Sequence, residues 1–300
     1  MNMKAIIVGG SGFLGQALAN KLRENDFEVV VTSRNKRGNN EKGIKYIQWN
    51  KQYAEELHDE IEDNPYILIN LAGENIAQKR WTKKRKSILL NSRIETTQIL
   101  LKTVEQNPPK IFVQGSAIGF YGNSTSQLDE NAPVGSGFLA SLTQQWEEIA
   151  KTHIHKSTRL IMIRTGVVLD KNNGLIQKIL PVFKLGLGGK IGSGKQGISW
   201  IHLTDWVNAV LFCINNNEIH NIVNLTAPNP ISNLEFTKTM GTIMTRPTLI
   251  PVPGFLLRLI YGSMANELLL GGQYILPLKL QQSGYNFKYQ NITEALKSIV

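Results

Sequence analysis

Apolar segments alternate with helix-like segments over the first half of the chain. Six segments are apolar enough to be strands buried on both faces of a sheet; they are Lys4–Val8, Phe27–Thr32, Ile44–Trp49, Tyr66–Leu71, Lys110–Val113 and Arg159–Ile163. Four segments with helical spacing of apolar residues lie between them: Phe13–Glu24, Ala54–Ile61, Lys83–Val104 and Phe138–Thr152. Strands that alternate with helices are joined by right-handed crossovers, so the pattern predicts an α/β fold with a doubly wound parallel sheet of the Rossmann type.

The alternation ends after Thr165. The Gly-rich stretch Leu185–Gly197 predicts loops around a hairpin. Proline becomes frequent between residues 247 and 253, and the tail from there predicts a small, mostly helical appendage that closes over the sheet. We therefore predict two domains, residues 1–235 and residues 245–300, with the later part of the first contributing to the ligand site.

Composition excludes several classes of protein. The chain has 300 residues, 42% of them hydrophobic, which is enough for a sizeable core. Its single cysteine, Cys213, rules out a disulfide framework or a cysteine-based zinc cluster within one chain. No apolar window of about 18 residues and no signal peptide is visible. We expect a cytoplasmic protein with no metal and no membrane partner.

The net charge of +10 leaves two interpretations, nucleic acid or anionic small ligands. Positive charge is concentrated in "KRWTKKRK" at Lys79–Lys86, which suits a solvated helix start or a lip that attracts an anionic ligand. No nucleic-acid-binding motif accompanies the charge, so we expect no nucleic acid partner.

A glycine-rich turn joins the first strand to the first helix. Gly9 permits a turn, Gly12 lets the backbone approach a pyrophosphate, and Gly15 lets the helix pack close to the strand. The helix N-terminus then offers free N–H groups to phosphates. The sequence therefore predicts a dinucleotide site formed by the residues Gly9, Gly10, Ser11, Gly12, Phe13, Leu14 and Gly15.

The end of the second strand predicts which dinucleotide binds there. NAD sites place an acidic residue at this point, where it binds the ribose 2′-hydroxyl. Here Ser33 and Arg34 take that place, with Lys36 and Arg37 behind them. Because a guanidinium pairs well with a phosphate, we predict NADP(H) as the cofactor.

The GxxGxxG spacing resembles the short-chain dehydrogenase/reductase superfamily, and other segments agree with it. "NLAG" at Asn70–Gly73, "LLNSRIETTQILL" at Leu89–Leu101, "GSAIGFYG" at Gly115–Gly122 and "ISWIHLTDWVNAV" at Ile198–Val210 resemble segments of extended, epimerase-like members. With "FLASLTQQWE" and the tail "LPLKLQQSGYNFKY", the chain resembles an atypical bacterial family similar to nucleoside-diphosphate-sugar epimerases, with its own small C-terminal domain. The resemblance implies further cofactor contacts at Leu71, Ala72, Gly73, Asn91 and Arg164.

The chain departs from the superfamily at its catalytic helix. That helix normally carries Tyr-x-x-x-Lys, in which the tyrosine exchanges a proton with the substrate and the lysine lowers its pKa. The matching positions here are Phe138 and Leu142, which carry no titratable proton and no charge. The usual acid–base pair is therefore absent.

Three residues are candidates to replace the missing pair. Ser116 matches the serine or threonine position of the superfamily, although a one-residue shift of register stays open. Tyr121 follows the fifth strand, and His202 is of the residue type that can donate or accept a proton near neutral pH. Each also has a structural alternative: a polar turn residue, a structural tyrosine, and a histidine paired with Asp205.

Candidate substrate contacts lie where the carboxyl edge of the sheet is expected. Glu74 follows "NLAG" at this edge, and Arg85, together with Lys84, could meet an anionic substrate. Trp81 and Trp200 could stack on a ring. For each, surface or core packing is the alternative. We expect an NADP(H)-dependent oxidoreductase or epimerase-like protein that acts on a small, sugar-like or anionic substrate as a monomer or homodimer. A cofactor-binding sensor that has lost catalysis is the alternative.

Overall fold

A seven-stranded parallel sheet forms the centre of the structure, a computed structural model that describes residues 3–33, 43–49, 55–61 and 65–300. The strands of this sheet and of the three short strand pairs outside it are, in chain order, β1 (Lys4–Val8), β2 (Glu28–Ser33), β3 (Lys45–Gln48), β4 (Tyr66–Asn70), β5 (Ile111–Ala117), β6 (Gln127–Leu128), β7 (Arg159–Thr165), β8 (Val167–Leu169), β9 (Gly197–Ile198), β10 (Trp200–His202), β11 (Asn221–Leu225), β12 (Ile231–Ser232) and β13 (Tyr274–Ile275), all within the described residues. The helices are α1 (Phe13–Glu24), α2 (Glu55–Ile61), α3 (Lys83–Thr103), α4 (Phe138–His153), α5 (Gly174–Lys184), α6 (Leu203–Asn215), α7 (Asn233–Met244), α8 (Gly254–Tyr261), α9 (Ser263–Leu268), α10 (Leu278–Gln282) and α11 (Ile292–Lys297).

The strand order is β11-β7-β5-β4-β1-β2-β3, and every pair in this sheet is parallel. The chain winds outward from β1 in one direction to β3 and then in the other direction from β4 to β11. The direction reverses between β1 and β4, which is where open sheets of this kind bind ligands beyond the carboxyl ends of the strands. The predicted doubly wound sheet is confirmed.

Both faces of the sheet are covered because successive strand residues point to opposite sides. Ala5 and Ile7 pack into a core with helices α1 and α6. Ile6 and Val8 pack into a second core with helices α2, α3 and α4. Most residues of these strands are apolar for this reason, as the sequence pattern predicts.

The region after β7 differs from the sequence prediction. The expected hairpin within Leu185–Gly197 does not form, because β9 pairs antiparallel with the distant strand β12. The short strands β8 and β10 pair in parallel, and helix α5 precedes the Gly-rich stretch. Strands of two or three residues carry little sequence signal, so their pairing partners are set by tertiary packing.

The C-terminal region is helical from α8 to α11, as predicted, and it packs on the sheet domain. The Asp205 carboxylate accepts hydrogen bonds from the backbone N–H groups of Lys288 and Tyr289, each at 2.8 Å. Met264 joins an apolar cluster with residues of α3 and α4. The boundary between residues 235 and 245 stays a prediction. Within the described ranges, no helix is long and apolar enough to cross a membrane.

Candidate cofactor and catalytic site

The glycine turn after β1 has the geometry that its spacing predicts. Gly9 has a φ of +77°, and a Cβ there would lie 2.7 Å from the Ala72 backbone nitrogen. A Cβ on Gly15 would lie 2.4 Å from the Gly10 Cα, so only glycine lets α1 pack this close. Gly12 is different, because a Cβ there would meet only the Gly9 carbonyl oxygen, at 3.4 Å. The outer side of Gly12 is therefore open space beside the helix N-terminus.

The N-terminus of α1 is available to an anion. Gly12 is the N-cap residue, no side chain among the described residues caps it, and the first turn contains no acidic residue. The turn is fixed from behind, since Gln16 Nε2 donates to the Gly10 carbonyl at 2.8 Å and to the Tyr46 hydroxyl at 3.0 Å. Open space and free N–H groups at a helix N-terminus fit a pyrophosphate. These are the features that the segment from Gly9 to Gly15 needs for a dinucleotide.

The predicted 2′-phosphate contact is described only in part. Ser33 ends β2 and is buried, and its carbonyl accepts a hydrogen bond from Trp49 N at 3.0 Å. Arg34, Lys36 and Arg37 lie outside the described residues. The choice of NADP(H) through Arg34 stays a prediction.

Asn70 shapes the loop that follows β4. Its buried Nδ2 donates to Thr97 Oγ1 at 3.0 Å and to Gln114 Oε1 at 3.1 Å, and its Oδ1 accepts from Ala72 N at 3.2 Å. Leu71 N continues the pairing with β1 by donating to Val8 O at 2.8 Å. The predicted cofactor contacts Leu71 and Ala72 are thereby held beside the glycine turn.

Arg93 is an α3 side chain that contacts this loop and that sequence reasoning missed. A Cβ on Gly73 would lie 3.0 Å from the Arg93 guanidinium carbon, whereas Asn91, the predicted contact, is exposed. Arg93 donates to the Leu89 and Glu74 carbonyls at 3.0 and 3.2 Å, and its guanidinium lies 5.2 Å from the centre of the Trp146 ring. Burial lowers the pKa of Arg93 to about 10. This pKa is still well above neutral pH, so Arg93 brings positive charge to the edge of the sheet.

A buried ion pair lies between α4 and β7. Arg164 donates through Nε and Nη2 to the two carboxylate oxygens of Glu147, each at 2.7 Å, and both side chains are 1% exposed. Ser116 Oγ donates to Glu147 Oε1 at 2.6 Å. The Arg164 guanidinium also lies 3.4 Å above the centre of the Phe120 ring. Arg164 and Ser116, predicted for cofactor binding and catalysis, are thus joined by Glu147, which was not among the predicted site residues.

Tyr121 extends this network. Its hydroxyl accepts a hydrogen bond from Arg164 Nη1 at 2.9 Å and donates to Asn224 Oδ1 at 2.8 Å, and the residue is 2% exposed. Burial outweighs the nearby guanidinium and raises the pKa of Tyr121 to about 12. The hydrogen bond to Asn224 uses the hydroxyl proton, so it must break before Tyr121 can give that proton to a substrate. Its role as the acid stays a prediction, and its contacts are those of a structural tyrosine.

His202 lies against the C-terminal region. Its Nδ1 accepts from Thr204 N at 3.0 Å and caps α6, its Nε2 is 3.3 Å from Ser298 Oγ, and its ring packs on Tyr289 at 4.1 Å. The Asp205 carboxylate accepts hydrogen bonds from backbone N–H groups instead of from the His202 ring. Burial lowers the pKa of His202. Because Nδ1 accepts a hydrogen bond, it carries no proton, and the histidine acts as the N-cap of α6 in this structure.

The two positions predicted from sequence to match the Tyr–Lys pair lie in an apolar cluster. Phe138 packs edge-on against Trp81 with ring centres 5.1 Å apart. Leu142 is buried in the same cluster with Leu89 and Met264. Because Met264 belongs to α9, the C-terminal region completes the packing. Trp81 is thus a cluster residue whose Nε1 donates to Ile76 O at 2.8 Å.

Glu267 of the C-terminal region caps helix α4. Its carboxylate accepts from Phe138 N at 3.1 Å and from Leu139 N at 2.8 Å. Gly137 precedes the helix with a φ of +110°, and a Cβ there would lie 3.0 Å from Glu267 Oε2. An anion therefore already occupies the N-terminus of the helix that carries the catalytic pair in the superfamily.

The remaining substrate candidates are in two places. Arg85 Nη1 donates to Glu74 Oε2 at 3.1 Å and Nη2 donates to Asn75 O at 2.8 Å, while its buried Nε has no hydrogen-bond partner. Trp200 is fully buried and donates to Asn229 O at 3.0 Å, which leaves no ring face on which a ligand could stack. Within the described residues, no group of three or more His, Cys, Asp or Glu side chains could hold a metal ion.

A family model described as the NAD dependent epimerase/dehydratase family matches residues 5–226. The chain belongs to that family. A second model, a domain of unknown function (DUF1731), matches residues 252–299. The resemblance to an atypical epimerase-like group with its own C-terminal domain is confirmed, and the sheet domain is an NAD(P)-binding fold of the epimerase type.

Relatives agree over almost the whole chain. An epimerase family protein of Mycobacterium leprae is 40% identical over 97% of this chain and 93% of its own. The human epimerase family protein SDR39U1 is 34% identical over 99% of this chain and 100% of its own. A crystal structure of the human protein with NADPH superposes with a TM-score of 0.89 at 33% identity, covering 99% of each chain.

A second solved structure is longer than this chain. The nucleoside-diphosphate sugar epimerase of Corynebacterium glutamicum superposes with a TM-score of 0.79 at 25% identity. The match covers 100% of this chain and 58% of that one. Both similarities extend over the sheet domain and the C-terminal region of this chain.

Proposed function

We propose that this epimerase family chain binds NADP(H) in the glycine turn after β1. It acts there as an oxidoreductase or epimerase-like protein on a small-molecule substrate, without a Tyr–Lys pair. The open space beside Gly12 carries the proposal, because a Cβ at that position would stand where a pyrophosphate meets the free N–H groups of α1. The NADPH bound to the human relative supports the same cofactor here.

The residues present fit such a cofactor. The backbone from Gly9 to Gly15 would hold the pyrophosphate, and Ser33 and Arg34 would hold the 2′-phosphate. The loop at residues 71–73 would line the cofactor on the far side of the turn, with Arg93 behind Gly73. When bound, NADP(H) supplies a hydride donor or acceptor. The chain itself supplies orientation and positive charge.

The proton source is the part of the proposal that differs from the superfamily. Ser116 and Tyr121 stay candidates, although both hydroxyls now bond inside the network of Arg164 and Glu147. We propose that the main task of this network is to fix the carboxyl ends of β5 and β7 beside the cofactor. In that case the substrate is protonated either by water or by Tyr121, and Tyr121 can do so only after its hydrogen bond to Asn224 breaks.

A second candidate function is a cofactor-binding sensor without turnover. The apolar cluster of Phe138, Leu142, Trp81 and Met264 favours it, because it occupies the positions where a reacting carbonyl meets its acid in the superfamily. A sensor would bind NADPH tightly and leave it unconsumed with every carbonyl or nucleotide-sugar substrate offered.

Calorimetric titration of three proteins tests the cofactor proposal. The Gly12 backbone has a φ of −81°, which any residue adopts, so Gly12→Val and Gly12→Ala should fold. Both should lose NADPH and NADH binding, Val more than Ala. The matched change Gly15→Ala should instead lower the melting temperature, because its Cβ has no room. Unchanged NADPH affinity in a folded Gly12→Val protein would refute the site.

Following NADPH absorbance with a panel of aldehydes, ketones and UDP-sugars separates the two functions. Oxidation of NADPH above the rate without protein supports the enzyme. Tight NADPH binding with no turnover across the panel supports the sensor.

A further inference from the structure

An apolar surface crosses the C-terminal half of the molecule and is exposed to water. We define it by ten exposed side chains: Val182, Leu185, Leu187, Leu249, Ile250, Phe255, Leu256, Leu259, Ile260 and Tyr261. The most exposed of these is Leu249, at 85%. Monomeric proteins rarely expose a large contiguous apolar patch unless it meets a partner.

Hydrogen bonds to the backbone hold the segments of this surface side by side. Arg246 Nε donates to Lys184 O at 3.0 Å, which joins the end of α5 to the segment before α8. Val252 N donates to Lys190 O at 2.8 Å, and Gly192 N donates to Val252 O at 2.9 Å. Helix α8 begins two residues after Val252. The ten side chains therefore belong to one region of the structure.

Helix α8 is the most unusual part of this surface. Its sequence, GFLLRLIY, is apolar on every side except at Arg258, and it contains no buried residue. Phe255 is 66% exposed, Leu259 is 72% exposed and Ile260 is 58% exposed. A helix that is apolar all round is normally buried in a protein core or a membrane. In the described structure only Gly254 and Leu257 of this helix are half-buried, and its other six residues are exposed.

The chain segments that carry the apolar surface contain positive charges and no negative ones. Residues 171–204 contain five lysines and no acidic residue. Residues 236–266 contain Lys238, Arg246 and Arg258 and no acidic residue. Lys184, Arg246 and Arg258 are exposed beside the apolar side chains. Two copies of such a surface would repel each other, whereas an anionic surface would attract it.

We propose that α8 and the neighbouring apolar side chains dock on an anionic lipid bilayer. The helix would lie in the plane of the interface with Phe255, Leu259 and Ile260 among the upper acyl chains and the lysines and arginines at the headgroups. Docking of this kind needs no spanning helix. It departs from the sequence-based expectation of no membrane partner, which rested on the lack of long apolar segments.

Co-sedimentation with lipid vesicles tests the proposal. The full chain should bind vesicles of equimolar phosphatidylcholine and phosphatidylglycerol and should not bind vesicles of phosphatidylcholine alone. Leu259→Asp should weaken binding about tenfold or more, because an exposed leucine would no longer enter the acyl chains. Lys184→Glu should weaken it at least about fivefold, and added salt should weaken it further.

Two matched variants separate docking from general surface effects. Ile88→Asp changes an apolar side chain of α3 that is 40% exposed, and Lys110→Glu changes an exposed lysine next to β5. Both should bind vesicles like the unchanged protein, and all variants should keep its circular dichroism spectrum. Equal binding to neutral vesicles, no binding to anionic ones, or unweakened binding by Leu259→Asp overturns the proposal. Dimerisation that Leu259→Asp abolishes, without vesicle binding, also overturns it and makes the surface a self-association interface.

Discussion

Removing the charge of Glu147 tests whether the buried network holds the sheet edge together. Glu147→Gln keeps the shape of the side chain but leaves the Arg164 guanidinium buried without a counter-ion. The carboxylate accepts three hydrogen bonds, two from Arg164 and one from Ser116. Breaking a buried pair by changing one partner costs about 3–5 kcal/mol, so we expect a loss of that size in the free energy of unfolding.

Urea unfolding without cofactor is the assay, because a bound ligand would add its own stabilisation. Glu148→Gln is the matched control, since it makes the same change at the next, exposed position of α4 and should alter stability by at most about 0.5 kcal/mol. The double variant Glu147→Leu with Arg164→Met should be less destabilised than Glu147→Gln, because no unpaired charge stays buried. A loss below about 1 kcal/mol in Glu147→Gln would refute the reasoning.

Three further predictions concern the cofactor, the pH dependence and the proton. Arg34→Ala should weaken NADPH binding about tenfold to a hundredfold and leave NADH nearly unchanged, as measured by calorimetry; equal affinities in the unchanged protein would sink it. Burial favours a higher pKa for Glu60, but hydrogen bonds from Lys45 and Lys4 outweigh it and hold the pKa below its ordinary value. At pH values above 4.5, the ordinary pKa of glutamate, Glu60→Gln should therefore show its full loss of stability. The loss should become smaller as the pH falls through the lower pKa that Glu60 has in the folded protein. It would not become smaller if the pairing with the lysines were absent. If a substrate is found, Tyr121→Phe should cut kcat more than His202→Gln does; an equal kcat in both variants would leave water as the donor.

The parts of the site that sequence reasoning found are those fixed by local spacing. The roles of Gly9, Gly12 and Gly15 follow from a single turn, and the structure gives each the geometry that its position predicts. Helix α3 shows the limit of this reasoning. Asn91 and Arg93 are two residues apart, which is about 200° around a helix, so selecting one rather than the other selects the opposite face.

Glu147 and Glu267 could not be found from sequence for a different reason. The partners of Glu147 lie on β5 and β7, and those of Glu267 lie about 130 residues earlier in the chain, as the separations of 128 and 129 positions show. Glutamate on a helix is ordinarily a solvated residue, and nothing in its neighbours signals burial. Such contacts are set by how the helices dock, which a single sequence does not encode in its periodicity.

The predicted absence of a Tyr–Lys pair and the docked C-terminal region have one physical explanation. A lysine at position 142 would put its ammonium among Leu89, Met264 and Trp81, where a charge without a partner is costly. Met264 is there because α9 packs on α4, and Glu267 holds that packing through two N–H groups of the same helix. An apolar residue at position 142 is therefore what the docked C-terminal region requires. The glycine turn lies at the start of α1, outside this cluster. The residues proposed to bind the cofactor can therefore keep their geometry while positions 138 and 142 are apolar.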